Sequence, residues 1–585
     1  MCHSLCTLST TALVLSLTAR SFAASLSLNP AATANQGISD RLDASFAGFG
    51  IEPSNLFSFT GGADDPNVFT VQLLQNLADY SGTPPHIRLG GNTQDYMIYD
   101  ANYSDIAWKK NPLSTAQGAV AADSIIFGSG YFKALDRFPK GTPVTFGLNM
   151  AYSGPDYLDK IVESAQGAVD GMKNVKLYSF EIGNEPDLWI KNSFRTAPWS
   201  GNVYTEEFLD RADAVYNRVL KPKGLPAGFF EGPATASTIG TSFEISQLVS
   251  DGLLEKRNGN DYVFTWNQHD YYYFIGVTPT PITLDDLMDL DTTNTQFKYW
   301  AQQVDIGLKT GLPYVLREMS SVGPIGMRGV SDAHGSALWT LNFFLYAASL
   351  NISSVQMHMT DNSNASAWQP IPMGGSNLFV RPIYYAHAAM AQIIGNGNGT
   401  TQIGTLNTGG ARGEYRGRIR AYAAYAQSNL QSLILINSRQ ANVSQSNKES
   451  FTFNINLGKQ FADKDVYLSY LTGDGADSFS STTWNGMQYQ NDTGKTNKVD
   501  RSIRTIRISS TGALSIPVRD SEALVANIGW LLGTNEVLTV NNTRPSTNNK
   551  KSAAGWTMMN GASTAMWTSA VTTMLVIISS FVHLS

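Results

Sequence analysis

From about residue 46 to 360, short apolar runs alternate with longer stretches of helical periodicity, the rhythm of βα units around a parallel sheet. Eight runs read as strands: "FAGFGIE", "HIRLGG", "VTFGLNM", "LYSFEIGNE", "FFEGPA", "YVFTWNQHD", "YVLREMS" and "SSVQMHM". Each ends in Gly, Asn, His or an acid, where a loop starts. Eight such units predict a (β/α)8 barrel over 46–385, and barrel enzymes carry their chemistry at the C-terminal ends of the strands. Beyond about 385 the period becomes two, in "SLILINS", "FTFNINL", "VYLSYL", "IRTIRIS" and "ALSIPV", with Gly, Asn and Asp turns between them and no long amphipathic helix. That pattern predicts an antiparallel β-sandwich over 386–535. The fold class is therefore α/β, a TIM barrel followed by a β-sandwich.

Length agrees, since 585 residues exceed one ordinary domain. A formal net charge of -6, with no basic run longer than a pair, gives no footprint for nucleic acid. The two ends read as processing signals. Residues 1–24 have a short apolar core, Ala12 to Leu17, then small residues near Ala23 and Ala24, as in a secretory signal peptide. Both cysteines, Cys2 and Cys6, fall inside it, so the mature chain is expected to lack thiols and disulfides. Seven Asn-x-Ser/Thr triplets, at Asn102, Asn351, Asn364, Asn398, Asn442, Asn491 and Asn541, suit a secreted glycoprotein. Residues 536–560 read as a flexible stalk, and 561–585 as the apolar tail of a GPI attachment signal, with no Asp, Glu, Lys or Arg after Lys551. The expected address is the outer membrane leaflet.

Candidate chemistry sits at two strand ends. "EIGNEPD" closes the fourth strand on Glu185, and "REMSS" carries Glu318 in the seventh. Two carboxylates facing one cavity are what glycoside hydrolysis needs, one to protonate the leaving oxygen and one to attack or to activate water. Each glutamate alone reads as an ordinary strand-end ion pair; the two together at barrel strand ends favour the catalytic reading. Arg317 or Arg88 is placed to depress one of the two acids. The sequence has no H-E-x-x-H, G-x-S-x-G or phosphate-loop motif, and His269, His334 and His358 are too scattered to argue for a metal, so neither metal nor cofactor is expected.

These motifs, with "FAGFGIEPSNL", "IRLGGNTQDYMIYD" and "QHDYYY", resemble the heparanase and β-glucuronidase family of retaining barrel glycosidases. The resemblance runs from about 25 to 535. It implies that residues 25–45 complete the β-sandwich, that Glu185 is the acid/base and Glu318 the nucleophile, and that Asn184 contacts the hydroxyl beside the reacting carbon. Tyr271, two residues after His269, would contact the nucleophile, His269 would contact the substrate, and Glu52, Asn92 and Asp95 would line the innermost sugar subsite. The implied substrate is an oligo- or polysaccharide bearing β-linked glucuronic or 4-O-methylglucuronic acid.

One stretch departs from that pattern. Where the family offers glycine amides to a uronate, this chain has "SSVGPIGMRG", in which Pro324 has no N–H to give. Ile325, Gly326 or Arg328 is left to supply donors, and Trp368 stands near where a tyrosine hydroxyl is expected. Two rival expectations follow: a related glycosidase taking a neutral sugar such as arabinose or xylose, and an anchored wall protein that binds glycan without turnover.

Overall fold

The computed structural model describes residues 24–539 apart from 116, 117 and 119; the expected signal peptide (except its last residue), most of the expected stalk and the expected attachment tail lie outside these. Eight parallel strands close into a barrel: β1 Ala47–Ile51, β2 Ile87–Leu89, β3 Pro143–Leu148, β4 Lys176–Ile182, β5 Phe230–Thr235, β6 Val263–Phe274, β7 Tyr314–Gly323 and β8 Ser354–Met359. All eight predicted runs are strands, in the predicted order. Helices from Val68–Ser81 to Pro382–Asn396 cover the outside. Helix His334–Ser349 is apolar around almost its whole circumference, because it lies against β strands on one side and a second domain on the other.

The last barrel helix, Pro382–Asn396, runs through the junction expected at 385 and continues eleven residues into what was read as the sandwich. Its residues are all buried, so it lacks the polar face that marks a surface helix. The second domain is a β-sandwich. Its larger sheet runs in the order Gln402–Thr405, Ile419–Ala426, Asn429–Asn437, Glu522–Ile528, Asp465–Thr472 and then three short strands, with Arg504–Arg507 also pairing Asp465–Thr472. The smaller sheet joins Ser450–Asn456 to Ala513–Arg519 and to Ser25–Leu28, the N-terminal strand lying parallel with Leu28 opposite Ile455. A core of Phe451, Phe453, Ile516, Leu435 and Leu524 fills the space between the sheets.

Beneath the barrel mouth the interior is ionic. Arg88, Glu181, Glu231, Arg317 and Asn267 are all buried, and each finds partners, as burial of charge requires. Arg317 gives Nε and Nη2 to Glu231, both at 2.7 Å, and Asn267 donates to Glu181 at 2.6 Å. This layer fixes the side chains on which the mouth is built.

Candidate active site

Glu185 follows β4 in a left-handed conformation (φ 46°, ψ 54°), a costly backbone state for a residue with a Cβ. Its N–H donates to the carbonyl of Ala234, itself left-handed at φ 55°, at the end of β5. Two strained residues thus hold each other, and the Glu185 carboxyl is aimed inward. Its Oε1 lies 3.2 Å from His269 Nδ1. His269 Nε2 lies 3.4 Å from Arg88 Nη2, a group that can only donate. Nε2 therefore accepts, and Nδ1 carries the proton given to Glu185. Burial holds the imidazole down to about 4, so His269 is neutral in this role.

Glu318, on β7, faces the same space. Its Oε2 accepts from Arg88 Nη1 at 2.5 Å, and its Oε1 from Tyr271 OH at 2.6 Å. Donor atoms of Glu185, His269 and Glu318 all lie within 4.8 Å of one another. Among the described residues this is the one donor set that a metal ion could share, but the Arg88 guanidinium already supplies positive charge to Glu318. Burial, followed by the negative charge of Glu318, pushes the Glu185 carboxyl up to about 8. Burial would raise Glu318 as well, but the charges of His358 and Arg88 and the Tyr271 hydrogen bond together hold it well below the usual carboxylate range. His269 adds to this only where it is protonated, below its own value of about 4. The pair is thereby divided into an acid that keeps its proton and a base that stays ionised, the division that two-carboxylate catalysis requires.

Arg88 is the keystone of this arrangement. Besides Glu318 it binds Glu181, through Nε at 3.1 Å and Nη2 at 2.5 Å, and gives Nη2 to Asn184 Oδ1 at 2.8 Å. Of the two arginines offered by the sequence, Arg317 is corrected: although adjacent to Glu318, it points to Glu231 in the lower layer. His358 was missed as a site residue. It sits between two acids, Nε2 3.5 Å from Glu52 and Nδ1 3.7 Å from Glu318. Burial by itself would lower its imidazole, but the Glu318 and Glu52 carboxylates carry it above its ordinary value. Its signal in the sequence was its place near the end of the eighth strand, in "SSVQMHM".

The other expected residues divide. Asn184 is 4% exposed, and its Nδ2 donates to Asn92 Oδ1 at 3.1 Å, so the two asparagines form one wall. Glu52 accepts from the Thr93 N–H (2.7 Å) and hydroxyl (2.5 Å), across the backbone of Gly91, where any Cβ would strike the Glu52 carboxylate at 2.3 Å. Asp95 is corrected from sugar ligand to brace: it is 1% exposed, and its oxygens accept from the N–H groups of Met150, Ala151 and Asn184. Trp368 is likewise corrected. It is fully buried, donates to Thr70 Oγ1 at 3.0 Å and packs edge-on against Phe49 and Phe59. Gly326 spends its N–H on the Val322 carbonyl at 3.0 Å, so it has no amide left for a carboxylate. Arg328 points outward, 74% exposed, 3.5 Å from Asp332 and over the Phe479 ring.

Comparison with known proteins agrees with this geometry. Residues 421–525 match the glycosyl hydrolase family 79 C-terminal beta domain. A β-glucuronidase of Aspergillus niger is 27% identical over 512 residues, covering 83% of this chain and 90% of that one. A β-glucuronidase of Neurospora crassa is 26% identical over 485 residues, covering 76% and 84%. The fold is shared with a 4-O-α-L-rhamnosyl-β-D-glucuronidase of Fusarium oxysporum 12S (TM-score 0.69, 21% identity, 86% of this chain and 100% of that chain). It is shared more distantly with a family 51 α-L-arabinofuranosidase of Bifidobacterium longum (TM-score 0.53, 13% identity, 86% and 99%). With its barrel, its β domain and its facing glutamates, this chain is a glycoside hydrolase that resembles the heparanase and β-glucuronidase family.

Proposed function

We propose that the chain is a retaining β-glucuronidase, releasing glucuronic or 4-O-methylglucuronic acid from a cell-wall or proteoglycan glycan through a covalent glycosyl-enzyme. The observation that carries this reading is the facing pair: Glu185 and Glu318 with oxygens within 4.8 Å and opposite protonation states. Retaining enzymes hold their carboxyl groups about 5 to 5.5 Å apart, inverting ones about 6.5 to 9.5 Å. Glu318, ionised and oriented by Arg88 and Tyr271, attacks the anomeric carbon. As the bond to the leaving oxygen breaks, Glu185 gives that oxygen its proton. Formation of the ester removes the negative charge of Glu318, and with it the larger of the two charges that raise Glu185. Glu185 is then a better base, and takes a proton from the water that attacks the same carbon and frees Glu318. The glucuronide assignment is supported by what the Aspergillus and Neurospora relatives are called.

One observation favours a neutral sugar instead: the Gly326 amide is spent, Pro324 has none, and Trp368 is out of reach. Secretion and GPI anchoring are also part of the proposal, supported by the sequence at the two ends, as is N-glycosylation, supported by Asn-x-Ser/Thr triplets such as those at Asn102, Asn398 and Asn442. Hydrolysis of aryl β-glucuronide, 4-O-methylglucuronide, xyloside, glucoside and arabinofuranoside tests the substrate. The proposal expects glucuronide turnover that vanishes in Glu318→Gln; turnover of a neutral glycoside alone refutes the uronide.

A further inference from the structure

The loops that follow β7 and β8 open a second cleft on the catalytic face, against the β domain. Its volume is about 730 Å³, within the range of about 300 to 1,000 Å³ typical of ligand pockets. Three fastenings make it a built feature. The Asn364 N–H donates to the Ile325 carbonyl at 2.8 Å, joining the two barrel loops. The Val380 N–H donates to Asn491 Oδ1 at 2.9 Å, joining the barrel to the β domain. Arg381, 7% exposed, gives Nη2 to Gln369 Oε1 at 2.8 Å and Nη1 to the Ser366 carbonyl at 3.2 Å, setting the amide that lines the floor.

The lining combines apolar faces (Leu378, Phe379, Phe479) with amide side chains such as Gln369 and Asn377. Arg328 lies 4.8 Å over the Phe479 ring, leaving the guanidinium exposed at the rim. Two arginines, Arg328 and Arg381, face two aspartates, Asp332 and Asp492, so the lining carries no net charge. Flat apolar faces, amides and balanced charge suit rings bearing hydroxyls rather than carboxylates or sulfates. We propose that this cleft binds neutral sugar units of the glycan from which the terminal residue is removed. The cleft recruits the polymer, while the Glu185–Glu318 pair acts on its end. The inference rests on the glycosidase reading for its purpose, but its binding can be measured without turnover.

The experiment is calorimetric titration of the full chain carrying Glu318→Gln, made in a bacterial host that adds no glycan to Asn364 or Asn491. The probes are neutral hexaoses of β-1,4-linked xylose, glucose, mannose and galactose, with a heparin hexasaccharide as the acidic counterpart. At least one neutral hexaose should bind, with an affinity unchanged between low and high salt, and should bind at least tenfold more weakly when Phe479→Ala or Asn377→Ala is added. In the wild-type background those two variants should leave kcat/KM for an aryl glycoside unchanged, which also shows that they fold. Failure of every neutral hexaose to bind, binding of heparin alone, or binding indifferent to both variants overturns the inference. Absence of aryl glycoside turnover would instead defeat the proposed reaction, leaving the titration readable.

Discussion

Replacing Glu318 with Gln should lower the pKa of Glu185, because a negative charge within 4.8 Å is, after burial and ahead of Glu52, one of the three causes that raise it. Two unit charges 4.8 Å apart, in a site of effective dielectric about 20, interact by roughly 3.5 kcal/mol, or about 2.5 pKa units. Burial remains in the variant, so Glu185 should fall from about 8 to roughly 5.5 without reaching the value of a free carboxylate. The assay is a 13C NMR titration of side-chain carboxyl carbons in protein labelled at glutamate, with Glu185→Gln identifying the resonance. The wild-type titration gives the alkaline limit of kcat/KM. Glu185 must be protonated to act as acid, so activity falls as pH rises through its pKa, near 8, while the ionised Glu318 keeps the acidic limb below the ordinary carboxylate range. A shift under half a unit in Glu318→Gln would refute the reasoning, showing that the Glu318 charge does not raise Glu185 and that its conversion to a base needs another cause.

Three further predictions follow from the same contacts. Arg88→Met strands the buried carboxylates of Glu181 and Glu318, and should cost about 3 to 5 kcal/mol in denaturant unfolding, with the acidic limb of activity moving toward neutral pH; a stable variant with an unmoved limb contradicts the keystone role. Tyr271→Phe removes a hydrogen bond to an ionised acceptor, and should cost up to about 1.5 to 3 kcal/mol in denaturant unfolding and lower kcat roughly 10- to 100-fold; an unchanged kcat contradicts the orienting role. Trp368→Ala should cost about 3 to 5 kcal/mol of stability and leave KM for an aryl glycoside within twofold; a large rise in KM would return Trp368 to the sugar site.

The barrel was legible because each strand is a short apolar run punctuated by its loop, and because Glu185 stands just past the end of β4, where the fold collects chemistry; Glu318, read at a strand end, lies midway along β7, which runs on to Gly323. The β domain was less so. Ile419–Ala426 and Glu522–Ile528 were missed because they lie mid-sheet, mostly or wholly buried, so "IRAYAAYA" and "EALVANI" lack clean alternation. Helix Pro382–Asn396 hid for the same reason, having no polar face. In the site, residue type suggested Asp95 and Trp368 as ligands, but orientation decides that question, and backbone amides near 150 and 184 claim Asp95 while Phe49 and Phe59 enclose Trp368. Arg88 and Arg317 could not be told apart from sequence. Which of them meets Glu318 depends on how eight strands close; Arg317 and Glu318, being consecutive on a strand, point different ways, and a register irregularity of β7 against β8 falls between Leu316 and Met319. His358 needed the same closure, since Glu52 follows the first barrel strand and Glu318 lies on the seventh, the two neighbours of the strand that carries it.

The central claim is that Glu318 forms a bond to the sugar while Glu185 serves first as acid and then as base. The direct measurement is proton NMR of an aryl β-glucuronide during hydrolysis, before the released sugar mutarotates, paired with mass spectrometry of enzyme treated with a 2-deoxy-2-fluoro glucuronosyl fluoride. The account predicts that the β anomer appears first and that the fluoro-sugar is found on the peptide containing Glu318. First appearance of the α anomer, or a label on any other residue, would contradict it.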